Sequence, residues 1–357
     1  EGIHQDIYLA AVSTAALQGI REMAAFMGDA GLESEARALF LRARETLNRR
    51  YWMPEEGYHA FGILQGGGTN GNLTAWPATA LAFNLLDPAQ AEGTLAHLSG
   101  DAISSLWGAR LLSTESDLYD PLHYNNGMVW PFMTGFVAWG QYRYRRPWAG
   151  YPLLQALWRL HGDWSLGRHP ENLSGAFYQT MDATVPHQFF ASSMMITPLV
   201  RGLLGWEPDA PRGQAVLAPQ PPPGWRHLEV RDLQVGGSRL HLDYRREDRA
   251  VDVRLEVEGE PLRLTYIQAI PPGARGVMVE GPGDHRMMEG LHDLQVEQAL
   301  SISEESPVRL RYEWTGGLEV VPASPRSFPA GAPSREIPAP AFVVLQAISV
   351  KEGDKQG

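Results

Sequence analysis

The stretch YDPLHYNNGMVWP at residues 119–131 sets a Tyr-Asn-Asn-Gly turn directly before Trp-Pro, and RHPENLSG at 168–175 carries a single carboxylate, Glu171, in a second polar corner. Around them, in segments rich in Gly, Asn, Trp and Tyr, stand Trp52, Trp76, Trp107, Tyr119, Tyr124, Trp130, Trp164 and Tyr178, with Arg110, Asn125, Asn126, His187 and Gln188. Aromatic faces stack on the apolar C–H face of a sugar ring, while Arg, Asn and Gln meet its hydroxyls directionally. Cleaving a glycosidic bond takes two carboxyls, one to protonate the leaving oxygen and one to act on water or on the anomeric carbon. The combination points to a carbohydrate site. Each residue alone has a plainer explanation: a Trp in a helical protein is more often core, an acidic residue after Pro suits a helix N-terminus, and Asn-Asn-Gly is turn chemistry. Their gathering in loops of similar register is what favours a pocket.

Other chemistries are removed by composition. The chain has no cysteine, which excludes disulfides, thiolate nucleophiles and cysteine-based zinc sites. There is no Gly-x-Ser-x-Gly and no His-Glu-x-x-His, and LQGGGTNG at 64–71 has neither a leading strand nor a following Lys, so it reads as a plain flexible loop and not a phosphate cradle. Asp6, Asp120 and Asp182 are isolated and the histidines lack ligand spacing, so neither a metal nor an organic cofactor is expected. A formal charge of −11 and a pI near 5.5 argue against nucleic acid or an anionic membrane as partner, since phosphates need clustered cations and the arginines here are scattered. No apolar run reaches the ~18 residues that suggest a membrane span. The chain starts at Glu1 with no basic or apolar leader pattern. Its 357 residues, 44% apolar and 20% charged, can bury a large core.

The elements that must position the polar corners follow from periodicity. From Asp6 to Trp206 the period is helical. Asp6 caps a first helix with the face Leu17, Ile20, Met23, Ala24, Met27; a second presents Ala36, Leu39, Phe40, Ala43, Leu47, Tyr51. Further helices are expected at about 75–86, 88–98, 128–144, 148–162 and 187–205, making about seven. Short connections alternate with long ones at 52–74, 99–127 and 163–186, and long loops in compact domains tend to be functional. Paired helices would bring those loops to one end. A Pro-rich linker at 207–226 ends the helical part. Beyond it LEVRDLQV, SRLHLDY, VDVRLEVEG, LRLTYIQAI, VRLRYEW and FVVLQAISV alternate with period two, predicting an antiparallel β-sandwich over 227–357.

SSLWGARLLSTESDLYDPLHYNNGMVWPFMTGFVAWGQYRY, HPENLSGAF, VPHQFFAS and the segment beginning PPPGWRHLEV resemble, in order and spacing over roughly residues 5–245, the glycogen-debranching-type amylo-α-1,6-glucosidases of the six-hairpin glycosidase superfamily. The resemblance implies an (α/α)6 toroid and inverting hydrolysis of an α-linked gluco-oligosaccharide without cofactor. It implies Glu171 as the general base, with Trp107, Arg110, Tyr124, Asn126, Trp130 and Gln188 lining the subsite of the cleaved sugar. Asn125 stands where that family has His, Phe132 and Met133 replace a His-Asp pair, and His187 replaces Pro. A full toroid needs twelve helices against about seven here, and the family's general acid falls immediately upstream of Glu1. The expectation is a C-terminal part of a longer polypeptide, whose N-terminal part would be the partner completing the ring. Two other readings stay open: a related six-hairpin enzyme of the α-rhamnosidase or disaccharide-phosphorylase type, for which Arg110, Arg168, His169 and Ser174 are candidate phosphate contacts, and a carbohydrate-binding protein without catalysis.

Overall fold

A computed structural model describes residues 3–164, 167–181, 184–290 and 292–317. The strand predicted at FVVLQAISV and the position of Asp182 lie outside them. The chain forms two compact units, one of residues 1–207 with 216–222 and one of residues 208–215 with 223–357.

The first unit contains seven α-helices among the described residues: α1 (Ile7–Met27), α2 (Ala30–Arg50), α3 (Ala78–Ala82), α4 (Pro88–Ser99), α5 (Pro131–Arg143), α6 (Pro147–Asp163) and α7 (Phe189–Thr197). Asp6 caps α1 by accepting from Leu9 N at 2.8 Å, and Asp29 caps α2 by accepting from Leu32 N at 3.0 Å. Pro88, Pro131 and Pro147 open α4, α5 and α6, where the missing N–H is no loss. The helix expected at 75–86 shrinks to α3 because Asn84 takes a left-handed φ of 56° and Leu85 N closes back on Ala80 O at 3.0 Å. The one expected at 187–205 divides at Pro198. Lacking its N–H, Pro198 cannot continue the α-helical ladder, and Pro198–Leu203 forms a π-helical turn in which Leu204 N reaches back five residues to Leu199 O.

The predicted face of α1 is corrected. The helix buries Ile7, Ala11, Thr14 and Ala24, while Met23 and Met27 are 60% and 79% exposed. Helix α1 packs against α2, which buries Ala36 and Leu47, and of the predicted α1 face Ala24 is buried and Leu17 and Ile20 partly so. The 64–71 loop is also more ordered than expected. Gly62–Leu64 and Thr69–Asn70 pair as a hairpin, and Gly62–Leu64 also pairs with a strand at Ile3–Asp6 that leads into α1.

Helix α5 is the centre of the unit, packed against α3, α6, α7 and the π-helical turn. Its Gly135 permits that closeness, since a Cβ there would stand 2.6 Å from Met194 Cβ on α7. The polar groups of this core are paired: Gln141 Nε2 donates to Leu95 O at 2.9 Å, and Arg146 donates to Gln141 Oε1 at 2.9 Å and pairs with Glu92.

The second unit is an antiparallel sandwich. Its strands are β1 (His227–Val235), β2 (Ser238–Arg246), β3 (Ala250–Gly259), β4 (Leu262–Ile270), β5 (Ala274–Glu280), β6 (His285–Glu289), β7 (Leu294–Ile302) and β8 (Val308–Gly316). One sheet runs β1-β2-β3-β8-β5; the other runs β6-β7-β4 and continues with short strands at Gln214–Leu217 and Trp206–Asp209. Those last two fall in the stretch read from sequence as a linker. Alternate residues of the long strands are buried, and Tyr266 of one sheet stacks on Tyr312 of the other with ring centroids 6.1 Å apart. Tyr312 donates its hydroxyl to Gln298, so the phenol enters the core with a partner.

Candidate active site

The three long loops of the first unit are laced together by single β-bridges. Thr74 pairs with Leu112, Arg110 with Val129, Val129 with Leu173, and Leu173 with Thr180. Beneath them Val129, Leu160 and Leu173 form a buried cluster against which Trp107 packs. The seam fixes the backbone on both sides of the two polar corners.

Glu171 sits on this seam. Its N–H donates to Val185 O at 3.0 Å, and Gln188 N donates to His169 O at 2.9 Å, so 169–171 and 185–188 run side by side. The side chain of Glu171 uses one oxygen twice: Oε1 accepts from the Tyr124 hydroxyl and, at 3.0 Å, from Gln188 Nε2. Loss of solvent, and then the hydrogen bond and charge of Glu171, push the Tyr124 phenol up to about 12. It therefore remains a protonated donor through the neutral range. The carbonyl of Tyr124 accepts from Trp130 Nε1 at 3.1 Å, and the two rings meet edge to face with centroids 4.6 Å apart. Tyr124, Trp130, Glu171 and Gln188 thus form one connected group.

Trp107 and Arg110 act a few residues away. Trp107 Nε1 donates to Ser174 O at 2.9 Å, and Arg110 donates through Nε to Gly175 O at 2.7 Å and through Nη1 to Asp101 O at 2.9 Å. The guanidinium lies 5.8 Å over the Trp107 ring. Both side chains clamp the loop that carries Glu171. Asn126 enters through its backbone, accepting from Asp120 N at 2.9 Å and donating to His123 O at 3.2 Å to close the turn that presents Tyr124.

An aromatic chain continues from Trp130. Trp76 lies 6.5 Å from Trp130, Tyr8 5.4 Å from Trp76, Phe132 6.4 Å from Tyr8, and Phe190 5.9 Å from Phe132. Phe190 is two residues beyond Gln188, so the chain returns to the glutamate. Tyr8 and Phe190 carried no sequence signal beyond residue type, because α1 and α7 bring them here from opposite ends of the unit. Phe132 is half-buried in this wall, whereas the adjacent Met133 is fully buried core.

His169 and Ser174, offered by sequence as phosphate contacts, are taken up by the fold. His169 is buried, with Nε2 3.1 Å from Leu157 O and Nδ1 3.4 Å from Ser192 Oγ, and burial lowers its pKa. Ser174 Oγ accepts from Ala176 N and Phe177 N. Among the described residues no group of three or more His, Asp or Glu could hold a metal. No described helix is long and apolar enough to cross a membrane.

Residues 4–173 match the family model of the mannosylglycerate hydrolase MGH1-like glycoside hydrolase domain. That segment contains Trp107, Arg110, Tyr124, Asn126, Trp130 and Glu171 and stops short of Gln188. Comparison with curated protein sequences found no relative. Among solved structures, one described as a sialidase is similar at 12% identity and TM-score 0.58, over 72% of this chain and 26% of that one. A GH63 mannosylglycerate hydrolase from Thermus thermophilus in complex with Tris is similar at 17% identity and TM-score 0.46, over 53% of this chain and 44% of that one. An α-L-rhamnosidase from Dictyoglumus thermophilum is similar at 12% identity and TM-score 0.49, over 82% of this chain and 30% of that one. The chain thus spans between about a quarter and a half of the length of these structures. The glycogen-debranching type is not singled out among them. Over residues 4–173 the chain is therefore similar to glycoside hydrolase domains of the MGH1-like type.

Proposed function

We propose that this site serves inverting hydrolysis of an α-linked hexoside, with Glu171 as the general base and α-linked gluco-oligosaccharides of the debranching type as the first substrate class. One observation carries it: a carboxylate held by two neutral donors at the head of a half-exposed aromatic wall. In this reading Trp107 and Arg110 shape the sugar subsite, with Tyr124, Asn126, Trp130 and Gln188 around the glutamate, and the helical unit is a portion of an (α/α)6 toroid. Glu171 takes a proton from water as the water oxygen bonds to the anomeric carbon. The bond to the leaving oxygen breaks, and that oxygen takes its proton from a second carboxyl about 6.5–9.5 Å from the first. The family match makes an α-mannoside with a small polar aglycone the natural comparison substrate.

The test is turnover of maltose, isomaltose and the 4-nitrophenyl α-glucoside, α-mannoside and α-rhamnoside by the whole chain and by Glu171→Gln. The substitution should cost at least about 10²-fold in kcat while sugar binding persists. Equal turnover by the two proteins removes Glu171 from the chemistry. A requirement for phosphate would instead assign a phosphorolytic reaction, and binding without turnover even of the 4-nitrophenyl glycosides, whose leaving group needs no acid, would assign a binding protein.

A further inference from the structure

Glu171 receives both of its side-chain hydrogen bonds on the same atom. Tyr124 and Gln188 reach Oε1, and among the described residues no hydrogen bond reaches Oε2. The two donors come from different loops, at 47 and 17 residues' separation, and each is itself fixed. Tyr124 is held by Trp130 through its carbonyl and its ring, and Gln188 is held by His169 through its backbone. A carboxylate fixed in this way at one oxygen cannot turn that oxygen outward, so the lone pairs of the other face a constant direction.

The amide of Gln188 adds a second observation. An ionised carboxylate only accepts, so the NH2 end must face Glu171. Its other end, Oε1, is buried and has no hydrogen-bond partner among the described residues. A buried acceptor left empty is costly, so the amide keeps this orientation because its NH2 end is held by Glu171. The free oxygen of Glu171 and the empty oxygen of Gln188 therefore belong to neighbouring side chains that already touch.

Resting on the reading of Glu171 as base, we propose that Tyr124 and Gln188 are positioning residues that lock Oε1, and that Oε2 is the oxygen which takes the proton from water. This departs from the expectation that both residues line the sugar subsite directly. The water oxygen bonds to the anomeric carbon, one of its protons passes to Oε2, and the leaving oxygen departs with the bonding pair. The remaining ionisable groups nearby do not compete for Oε1: His169 is engaged with Leu157 and Ser192, and His187 makes no hydrogen bond to Glu171.

The experiment uses the whole chain and 4-nitrophenyl α-glucoside and α-mannoside, whose phenolate leaves without help from an acid. Tyr124→Phe keeps the ring against Trp130 and removes only the hydroxyl. It should lower kcat about 10- to 100-fold with KM within about twofold, and move the acidic limb of the kcat profile up by about one pH unit. Gln188→Leu should do the same. A variant that raises KM and leaves kcat and the acidic limb unchanged makes these residues sugar contacts and overturns the proposal, while a dead Glu171→Gln leaves the base assignment standing. If Glu171→Gln stays active, the assignment of the base fails first. A second measurement is independent of turnover: the affinity for glucose in calorimetry should stay within about twofold in Tyr124→Phe, and a loss of about tenfold or more makes Tyr124 a sugar contact and overturns the proposal.

Discussion

Replacing Gly175 by Ala should damage the site through the backbone alone. Gly175 follows Glu171 by four residues, and its flank faces the turn that presents Tyr124. A Cβ there would stand 2.8 Å from Tyr119 Oη and nearer still to the carbonyl of Gly127, where ordinary contact begins at 3.4 Å. The loops must then part by at least the 0.6 Å between those values. The Gly127 carbonyl cannot swing aside as a side chain would, so the parting separates the two loops themselves. Gly175 is also tied by its N–H to Pro121 O at 2.8 Å and by its carbonyl to Arg110 Nε at 2.7 Å, which leaves it little room to move independently. Overpacking of this kind costs about 1–3 kcal/mol, or roughly 2–12 °C in Tm for a unit of this size. A displacement near 1 Å between a base and the group that orients it costs on the order of 10²-fold in rate. The assay is a thermal melt and kcat on the best nitrophenyl glycoside, with Gly66→Ala as control because nothing lies within 4 Å of a Cβ there. Gly175→Ala that melts and turns over like the wild type would refute the claim that these two loops are in rigid contact.

Two further outcomes follow from the fold. Burial lowers the pKa of His59 from 6.5 to about 4, with a weaker opposing pull from Gln90, and its Nε2 has no partner. Below pH 6.5 the unfolded chain takes up a proton that the folded one refuses, so the first unit should lose about 3 kcal/mol as pH falls to 4 and little more from this group below that. Denaturant melts of wild type and His59→Phe between pH 7 and 4 check this, and an unchanged slope in the variant is the contrary result. Arg146→Ala removes a nearly buried cation from Glu92, Gln141 and Ser99 and should cost about 3 kcal/mol in the same melts; a loss below about 1 kcal/mol would show that water replaces it freely.

What the sequence disclosed depended on the length and regularity of each pattern. LRLTYIQAI predicts a strand at 262–270, and Leu262–Ile270 is that strand, because alternate residues meet a core on one face. The strands at Ala274–Glu280 and His285–Glu289 are not legible: Gly276 interrupts the first, the second has only five residues, and Met278 and Met287 are exposed against the expected alternation. For α1 the helix is legible and its face only in part: Ala24 is buried and Leu17 and Ile20 partly so, but Met23 and Met27 are exposed while Ile7, Ala11 and Thr14 are buried instead. The members of the candidate site were legible by type and order, since Trp, Tyr and Glu in long loops stand out from helical background. That Tyr124 and Gln188 converge on a single oxygen was not, because it depends on two loops meeting within a few tenths of an ångström. Nor was the clamping use of Trp107 and Arg110, which point their polar atoms at backbone carbonyls.

The enclosure of α5 on every side has a consequence for how this protein can diversify. Its neighbours touch it closely enough that a single added methyl at Gly135 meets α7, so variation there is penalised wherever it occurs in lineage or library. The loops above it are joined to one another by isolated bridges and single hydrogen bonds. Change at the candidate site therefore has its freedom in residues 52–74, 99–127 and 163–188, while the helix beneath stays fixed.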